Sequence, residues 1–204
     1  MKMLILEQKF SNDLIAERRE LGIDQHDEVW QGVYVMPPMP DTEHQRIVSS
    51  LNSAFNEVTV GSGFSYPGGN VSDQETDWEY NFRCPDVFVV LDGGIAVDRG
   101  SHFLGGPDFV VEVRSPNDDS YEKLPFYAAM GVREVLIVER DSRALSLFRL
   151  ARSKLTLVKP TAHDGVPSHL SRALPLAFRT VLKKATGSKL EVRRTDGVEK
   201  TWLI

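Results

Sequence analysis

CPDVFVV (residues 84–90) and PDFVVEVRS (residues 107–115) are two strand-length runs rich in Val and Phe, and each contains an acid, Asp86 in the first and Glu112 in the second. Side chains alternate along a strand, so Val110, Glu112 and Arg114 face one side of the second run while Phe109, Val111 and Val113 face the other. A carboxylate among such neighbours loses water and needs a compensating partner, and a bound cation is one such partner. Asp86 follows Pro85, which fits a strand's first residue because proline has no N–H to give to the ladder. Asp86 is therefore expected at a strand start, near a sheet edge.

Working outward, YEKLPFYAAM (121–130) reads as a helix that places Lys123 and Tyr127 one turn apart on one face. Pro125 belongs in its first turn, and Gly131 ends it. VREVLIVER (132–140) is the next buried strand, and ALSLFRL (144–150) with KLTLVKP (154–160) forms an antiparallel meander. Strand, strand, helix, strand and then hairpin predicts an α/β fold with a mixed central sheet.

Upstream, Ser11 is expected to cap a short helix over NDLIAERRELG (12–22). EVWQGVYVM (28–36) reads as two brief strands around a Gln31-Gly32 turn, and PPMPD (37–41) breaks the chain. Thr42, with Gln45 three residues on, has the capping-box pattern for a helix whose apolar stripe is Ile47, Val48, Leu51, Ala54, Phe55 and Val58. His44 lies on that stripe and points inward, either as a hydrogen-bonded core residue or as part of a site; Glu43 and Glu28 are possible outer ligands. GFSYP (63–67) and the residues before Arg83 are strand-like, TDWEYNF (76–82) is a candidate active-site rim, and the segments DGGIAVDRG (92–100) and HFLGG (102–106) read as hairpin or loop. LAFRTVL (176–182), LEVRR (190–194) and VEKTWLI (198–204) are strand-like and half polar, with no evident place in the sheet.

With 204 residues, 41% of them hydrophobic and 26% charged, the chain can bury one core and is expected to form one domain. The N-terminal LIL (4–6) is too short for a signal-peptide core and no apolar run approaches a membrane span, so a cytoplasmic protein with no membrane partner is expected. The one cysteine, Cys84, excludes an intrachain disulfide framework and reads as a small apolar filler beside a strand. The net charge of −5 argues against a generally basic nucleic-acid coat. Charge is uneven, however: residues 171–204 hold eight Lys or Arg against three acids, a local +5 that leaves −10 on the rest. Such a segment is either a phosphate grip or an ordinary solvated face.

Hydrolysis of a phosphodiester needs an activated water, neutralisation of phosphate charge and help for the leaving oxygen. Mg²⁺ or Mn²⁺ held by one Asp, one Glu and a backbone carbonyl supplies most of this, and Asp86, Glu112 and the carbonyl of Val113 match that donor count. An ammonium nearby orients the hydroxide or stabilises the developing negative charge, the part expected of Lys123. Arg114 competes for that part as a phosphate clamp but cannot act as a base. A buried ion-pair network without catalysis would use the same residues.

The ordered stretches EVWQGVYVMPPMPDTEHQRIVSSL (28–51), RCPDVFVV (83–90), PDFVVEVRSPND (107–118) and KLPFYAAMGVREVLIVE (123–139) resemble the PD-(D/E)xK restriction-endonuclease-like superfamily, and within it the small stand-alone endonuclease family first catalogued as a domain of unknown function. The resemblance covers about residues 23–150. It implies a restriction-endonuclease-like core, flanked by helices and extended by antiparallel hairpins, with Asp86 and Glu112 as metal ligands. It also implies Lys123 reaching in from a helix in place of the usual strand lysine, and so favours Lys123 over Arg114. Arg114 stands where the subfamily usually carries an aliphatic residue, and the end of the chain after residue 170 departs from the family pattern. The function expected is a metal-dependent DNA endonuclease acting as a homodimer, with His44, Glu28, Arg114 and Tyr127 as accessory residues. The alternatives are a DNA-binding or regulatory protein that keeps the fold without turnover, and an oligomerisation or scaffold module whose acidic network is structural.

Overall fold

The computed structural model describes residues 8–116, 118–184 and 187–204; the LIL segment lies outside them. Helix α1 (Gln8–Glu20) starts before Ser11, so Ser11 lies within the helix rather than capping it. Strands β1 (Glu28–Trp30) and β2 (Val33–Val35) form the expected hairpin. Its turn places Gln31 and Gly32 at φ 51° and 82°. Positive φ at both central residues matches the right-handed twist of short hairpins, and a glycine takes it without strain.

Helix α2 (Thr42–Val58) buries His44, Ile47, Val48, Leu51, Ala54 and Phe55 on one face, the stripe predicted from periodicity. Its cap is Asp41 rather than Thr42: Asp41 is extended, and its Oδ1 accepts the His44 N–H at 2.8 Å. A carboxylate suits this position because it satisfies an orphan amide and faces the positive end of the helix dipole. The chain continues through β3 (Gly63–Tyr66), β4 (Val71–Ser72), β5 (Phe82–Arg83), β6 (Val87–Leu91), β7 (Val97–Asp98), β8 (Phe103–Leu104) and β9 (Phe109–Arg114). Lys123 belongs to a 3-10 turn, Ser120–Lys123, that leads into the short helix α3 (Leu124–Met130), with Pro125 in its first turn and Gly131 closing it at φ 84°. Then follow β10 (Glu134–Glu139), β11 (Leu145–Ala151), β12 (Lys154–Leu157), β13 (Thr161–His163), β14 (Val166–Leu170), β15 (Leu176–Lys183), β16 (Gly187–Arg194) and β17 (Thr201–Leu203).

The central sheet has the order β12-β11-β10-β9-β6-β3, with β9 and β10 parallel and every other pair antiparallel. This is the mixed α/β core expected from the sequence. One face, carrying Val87, Val89, Phe109, Val111 and Val113, packs against α2; the other, with Phe88, Val110, Val135 and Ile137, packs against α3. A second sheet, β2-β1-β5-β4-β8-β7, gathers the N-terminal hairpin, the short strands before β6 and those between β6 and β9.

The C-terminal segment, which the sequence left without a place, is core. Strands β13 to β17 form a five-stranded antiparallel meander, and Leu174, Leu176, Phe178, Leu190, Val192 and Ile204 join the α2-side cluster. Phe178 lies 5.8 Å from Phe109 and 6.2 Å from Phe55, between the central sheet and α2. Half of its eight basic residues pair with acids: Arg179 with Glu191, Arg193 with Asp164, Arg194 with Asp196 and Lys200 with Glu57. The solvated-face reading fits these pairs better than the phosphate grip. No described helix is long and apolar enough to cross a membrane.

A buried carboxylate ties the central sheet to the C-terminal meander. Glu134 accepts from Arg149 Nε at 2.7 Å, Ser171 Oγ at 2.5 Å and the N–H groups of Arg172 and Ala173 at 3.0 and 3.2 Å. Glu134→Ala strands those donors and is expected to lower unfolding free energy by about 3 kcal/mol in a urea titration. Phe178→Ala is expected to cost about 3–5 kcal/mol in the same measurement; a loss below about 1 kcal/mol would show that the C-terminal meander does not complete the core.

Candidate functional site

The register of β6 against β9, with Val87 opposite Val111 and Phe88 opposite Val110, carries Asp86 to the position opposite Glu112 when continued by one residue. Directly opposed residues on antiparallel strands share a face, so the two acids meet because of strand pairing. Asp86 Oδ2 accepts the Val113 N–H at 2.6 Å. The same register puts Pro85 opposite Val113, and proline has no N–H to offer the Val113 carbonyl. The dipeptide Pro85-Asp86 thus ends the ladder and turns the edge of β9 towards the site.

Glu112 is held from two directions. Tyr127 Oη donates to Oε1 at 2.5 Å and Lys123 Nζ to Oε2 at 2.9 Å, the two donors lying one turn apart at the start of α3, as the sequence spacing predicts. Lys123 also reaches Glu28 Oε1 at 2.8 Å. Glu28 in turn accepts the Cys84 N–H on Oε1 at 2.9 Å and Trp30 Nε1 on Oε2 at 2.7 Å. Glu28 thus anchors the lysine through Oε1, while its Oε2, which accepts the Trp30 bond, keeps a lone-pair direction as the oxygens of Asp86 and Glu112 do. His44 Nε2 stands 2.9 Å from Asp86 Oδ1, so α2 braces the second acid.

Burial and charge oppose each other here. Burial lifts the Glu112 carboxyl above the usual range, and Asp86 and Glu28 add to the rise, while Lys123 and Tyr127 pull it down. Burial would lower Lys123, but Glu112, Glu28 and Asp86 outweigh it and hold the ammonium well above its ordinary value. Burial also raises the Tyr127 phenol well above its usual value, with Glu112 and Glu28 adding to the rise, so the phenol stays a donor. His44 is raised because the bond to Asp86 and the charges of Asp86, Asp118 and Asp41 together exceed the opposing effect of burial. Burial pushes the Cys84 thiol up to about 12, which leaves it a protonated filler rather than a nucleophile.

Beneath the acids lies a residue not singled out from sequence. Arg83 is buried with its guanidinium 4.3 Å from the Trp30 ring centroid and 4.2 Å from that of Phe126. Its Nη1 donates to the carbonyls of Val29 and Phe82. Glu28, Asp86 and Glu112 share this end of the sheet with two fixed cations, Lys123 and Arg83, and with His44, which adds a third positive charge when protonated. While His44 is neutral, the inner site is one positive charge short.

That deficit and the donor chemistry fit a hard divalent ion. Each oxygen of Asp86 and Glu112 accepts one of the bonds above, and a carboxylate oxygen has two lone-pair directions. Asp86 keeps 20% of its side chain exposed against 3% for Glu112, so the pair opens to solvent on the Asp86 side. Among the described residues no group of three or more His, Cys, Asp or Glu side chains forms a metal cage. Two carboxylates and the Val113 carbonyl match an ion that retains several waters, as Mg²⁺ does.

The acids open into a cleft of about 400 Å³. Arg114 does not line it: it pairs with Glu139 at 3.1 Å on the neighbouring strand and lies over the Tyr121 ring. Glu43 is also drawn away, to Arg46 and Arg143. The segment TDWEYNF is no rim of this cleft; Trp78 stacks on His102, and Ser72 Oγ donates to the Asn81 carbonyl. Trp30 and Arg140 were missed. Trp30 is two residues from Glu28 on β1 and hence on its face, a signal available from spacing. Arg140 follows β10 and reaches Asp41 at 2.6 Å, a contact 99 residues apart with no local signature.

Comparison with known proteins agrees with this fold. No curated protein matches the chain. Among solved structures, a nuclease of the DUF820 family from Anabaena variabilis, itself described as putative, superposes with a TM-score of 0.55 at 15% sequence identity, over 70% of this chain and 84% of that one. At that identity the likeness shows the fold. The Uma2 family model, described as “Putative restriction endonuclease”, matches residues 17–183, from α1 through the acidic strands to the end of β15. The chain belongs to the Uma2 family of restriction-endonuclease-like proteins.

Proposed function

We propose that this protein is a Mg²⁺- or Mn²⁺-dependent endonuclease that hydrolyses phosphodiester bonds in DNA. The observation that carries this reading is the meeting of Asp86, Glu112 and Lys123 at the open end of two paired strands. Asp86, Glu112 and the Val113 carbonyl would hold the ion. When bound, it would supply a water of lowered pKa and neutralise charge on the scissile phosphate.

The chain's own residues divide the remaining work. Lys123, kept protonated by the surrounding acids, is no general base; its ammonium favours the negative charge that develops on a phosphate oxygen. Tyr127 and Lys123 fix the rotamer of Glu112, and His44 with the Val113 N–H fixes Asp86, so both ligands are set before substrate arrives. Glu28 positions Lys123.

The test is nicking of supercoiled plasmid. The wild-type protein is expected to nick in Mn²⁺ and not in EDTA, and Asp86→Ala and Glu112→Gln to lower the rate at least about 100-fold. A protein that binds DNA with no nicking under any divalent ion would instead be the inactive relative.

Two further outcomes separate a metal site from a structural ion-pair network. Mn²⁺ is expected to raise the melting temperature of the wild-type protein and not of Asp86→Ala, because a ligand bound only by the native state stabilises it. Tyr127→Phe removes one donor to Glu112 and keeps the ring; its turnover is expected to fall about 10-fold. A purely structural network would show no Mn²⁺ shift, and Glu112→Gln would stabilise it.

A further inference from the structure

The cleft has two unlike walls. Its floor is the acid pair with Lys123; the facing wall is apolar, built from Trp30, Val35 and the segment Pro37-Pro38-Met39-Pro40. Met39 is 78% exposed, an unusual state for a methionine beside a charged site. The segment is fixed at both ends, by β2 and by Asp41, which caps α2 and pairs with Arg140. Three prolines restrict its backbone, so the wall is shaped in advance, while the methionine side chain adapts to what it meets.

Charge indicates what kind of nucleic acid such a cleft accepts. A duplex binder neutralises a row of phosphates with Lys and Arg, and its affinity comes largely from that exchange. Here six acids, including Asp118 and Asp119, line the cleft against Lys123, Arg140 and the imidazoles of His26 and His44, an acidic balance even with both imidazoles protonated. Phosphate contacts therefore contribute little beyond the one phosphate at the reacting centre, and the rest of the affinity must come from the apolar wall. An intact duplex keeps its bases stacked inside and offers such a wall only backbone. An exposed base offers a flat apolar face, and stacking against aromatic and apolar side chains is the general means of holding single strands. The cleft volume of about 400 Å³ is of the order that holds one small organic ligand, and so one nucleotide.

Resting on the nuclease reading above, we infer that the substrate is DNA with an unpaired nucleotide at the cleavage site, a single strand, bulge or flipped base, whose base lies against the wall of Trp30 and Pro37 to Pro40 while its phosphate faces Asp86 and Glu112. One site suffices to cut such a substrate, so the two-fold dimer expected for duplex cleavage is not required by the chemistry.

The experiment is an anisotropy titration of the full chain with three labelled DNAs of one sequence: a short single strand, the blunt duplex and the duplex with a central bulge. Ca²⁺ replaces Mg²⁺ so that binding is read apart from cutting. The single strand and the bulge are expected to bind at least about tenfold tighter than the blunt duplex, and Met39→Asp to weaken the single strand about fivefold. Met39 is exposed, so the variant keeps the fold. Blunt duplex bound as tightly as single strand, unchanged affinity in Met39→Asp, or no binding of any DNA overturns the inference. Selective binding of the single strand with no cleavage in Mn²⁺ upholds the inference about the ligand and overturns the nuclease reading alone.

Discussion

The pairing of β6 with β9 is the constraint from which the site follows. It sets Asp86 opposite Glu112, and Pro85, unable to continue the ladder, leaves the Val113 amide to the Asp86 carboxylate. A one-residue slip of either strand would turn its acid into the apolar layer under α2, among Phe55, Val87, Val111 and Leu136. That layer is dry and closely packed, and a carboxylate there would cost more than the slip could recover. Register, core and site therefore specify one another.

The apolar core is built without these acids. Its apolar layers run through Phe55, Phe109 and Phe178 on one side of the central sheet and through Phe88, Tyr127 and Ile137 on the other. Exchanging a buried ionic network for apolar side chains of equal volume is commonly neutral or stabilising. Three acids and two buried cations at the sheet end are thus a cost the core carries, and the metal site proposed above would give that cost a chemical reason.

The central part of this arrangement was legible in the sequence because it is written in local periodicity. Alternation in PDFVVEVRS places Glu112 on the opposite face from Val111 and Val113, and those two valines do lie in the other layer. The i, i+4 spacing of Lys123 and Tyr127 anticipates their common reach to Glu112, although Lys123 sits on the 3-10 turn ahead of the helix. Arg114 shows where alternation stops being enough. It shares a strand face with Glu112, yet Glu139, its direct neighbour on β10, draws it aside. The C-terminal strands were illegible for a related reason: LAFRTVL and LEVRR present half-polar patterns, and only the packing partner, which is α2 and the central sheet, distinguishes a covering sheet from a surface hairpin. Asp41 was overlooked as a cap because Thr42 and Gln45 imitate a capping box one residue late.

The lysine explains why the N-terminal hairpin belongs to the site. Lys123 comes from a short turn rather than a strand, and a long flexible side chain on such a turn loses much rotamer freedom when it is fixed. One carboxylate, Glu112, does not define its direction, because that carboxylate must also face the ligand side. Glu28 supplies the second point of attachment, and Glu28 is itself set by the Cys84 amide and the Trp30 indole. The geometry of the amine thus depends on β1 docking against the segment just before Asp86. A hairpin contributing no ligand of its own joins two sheets through one lysine, and places Trp30 and the proline-rich segment beside the acids as it does so.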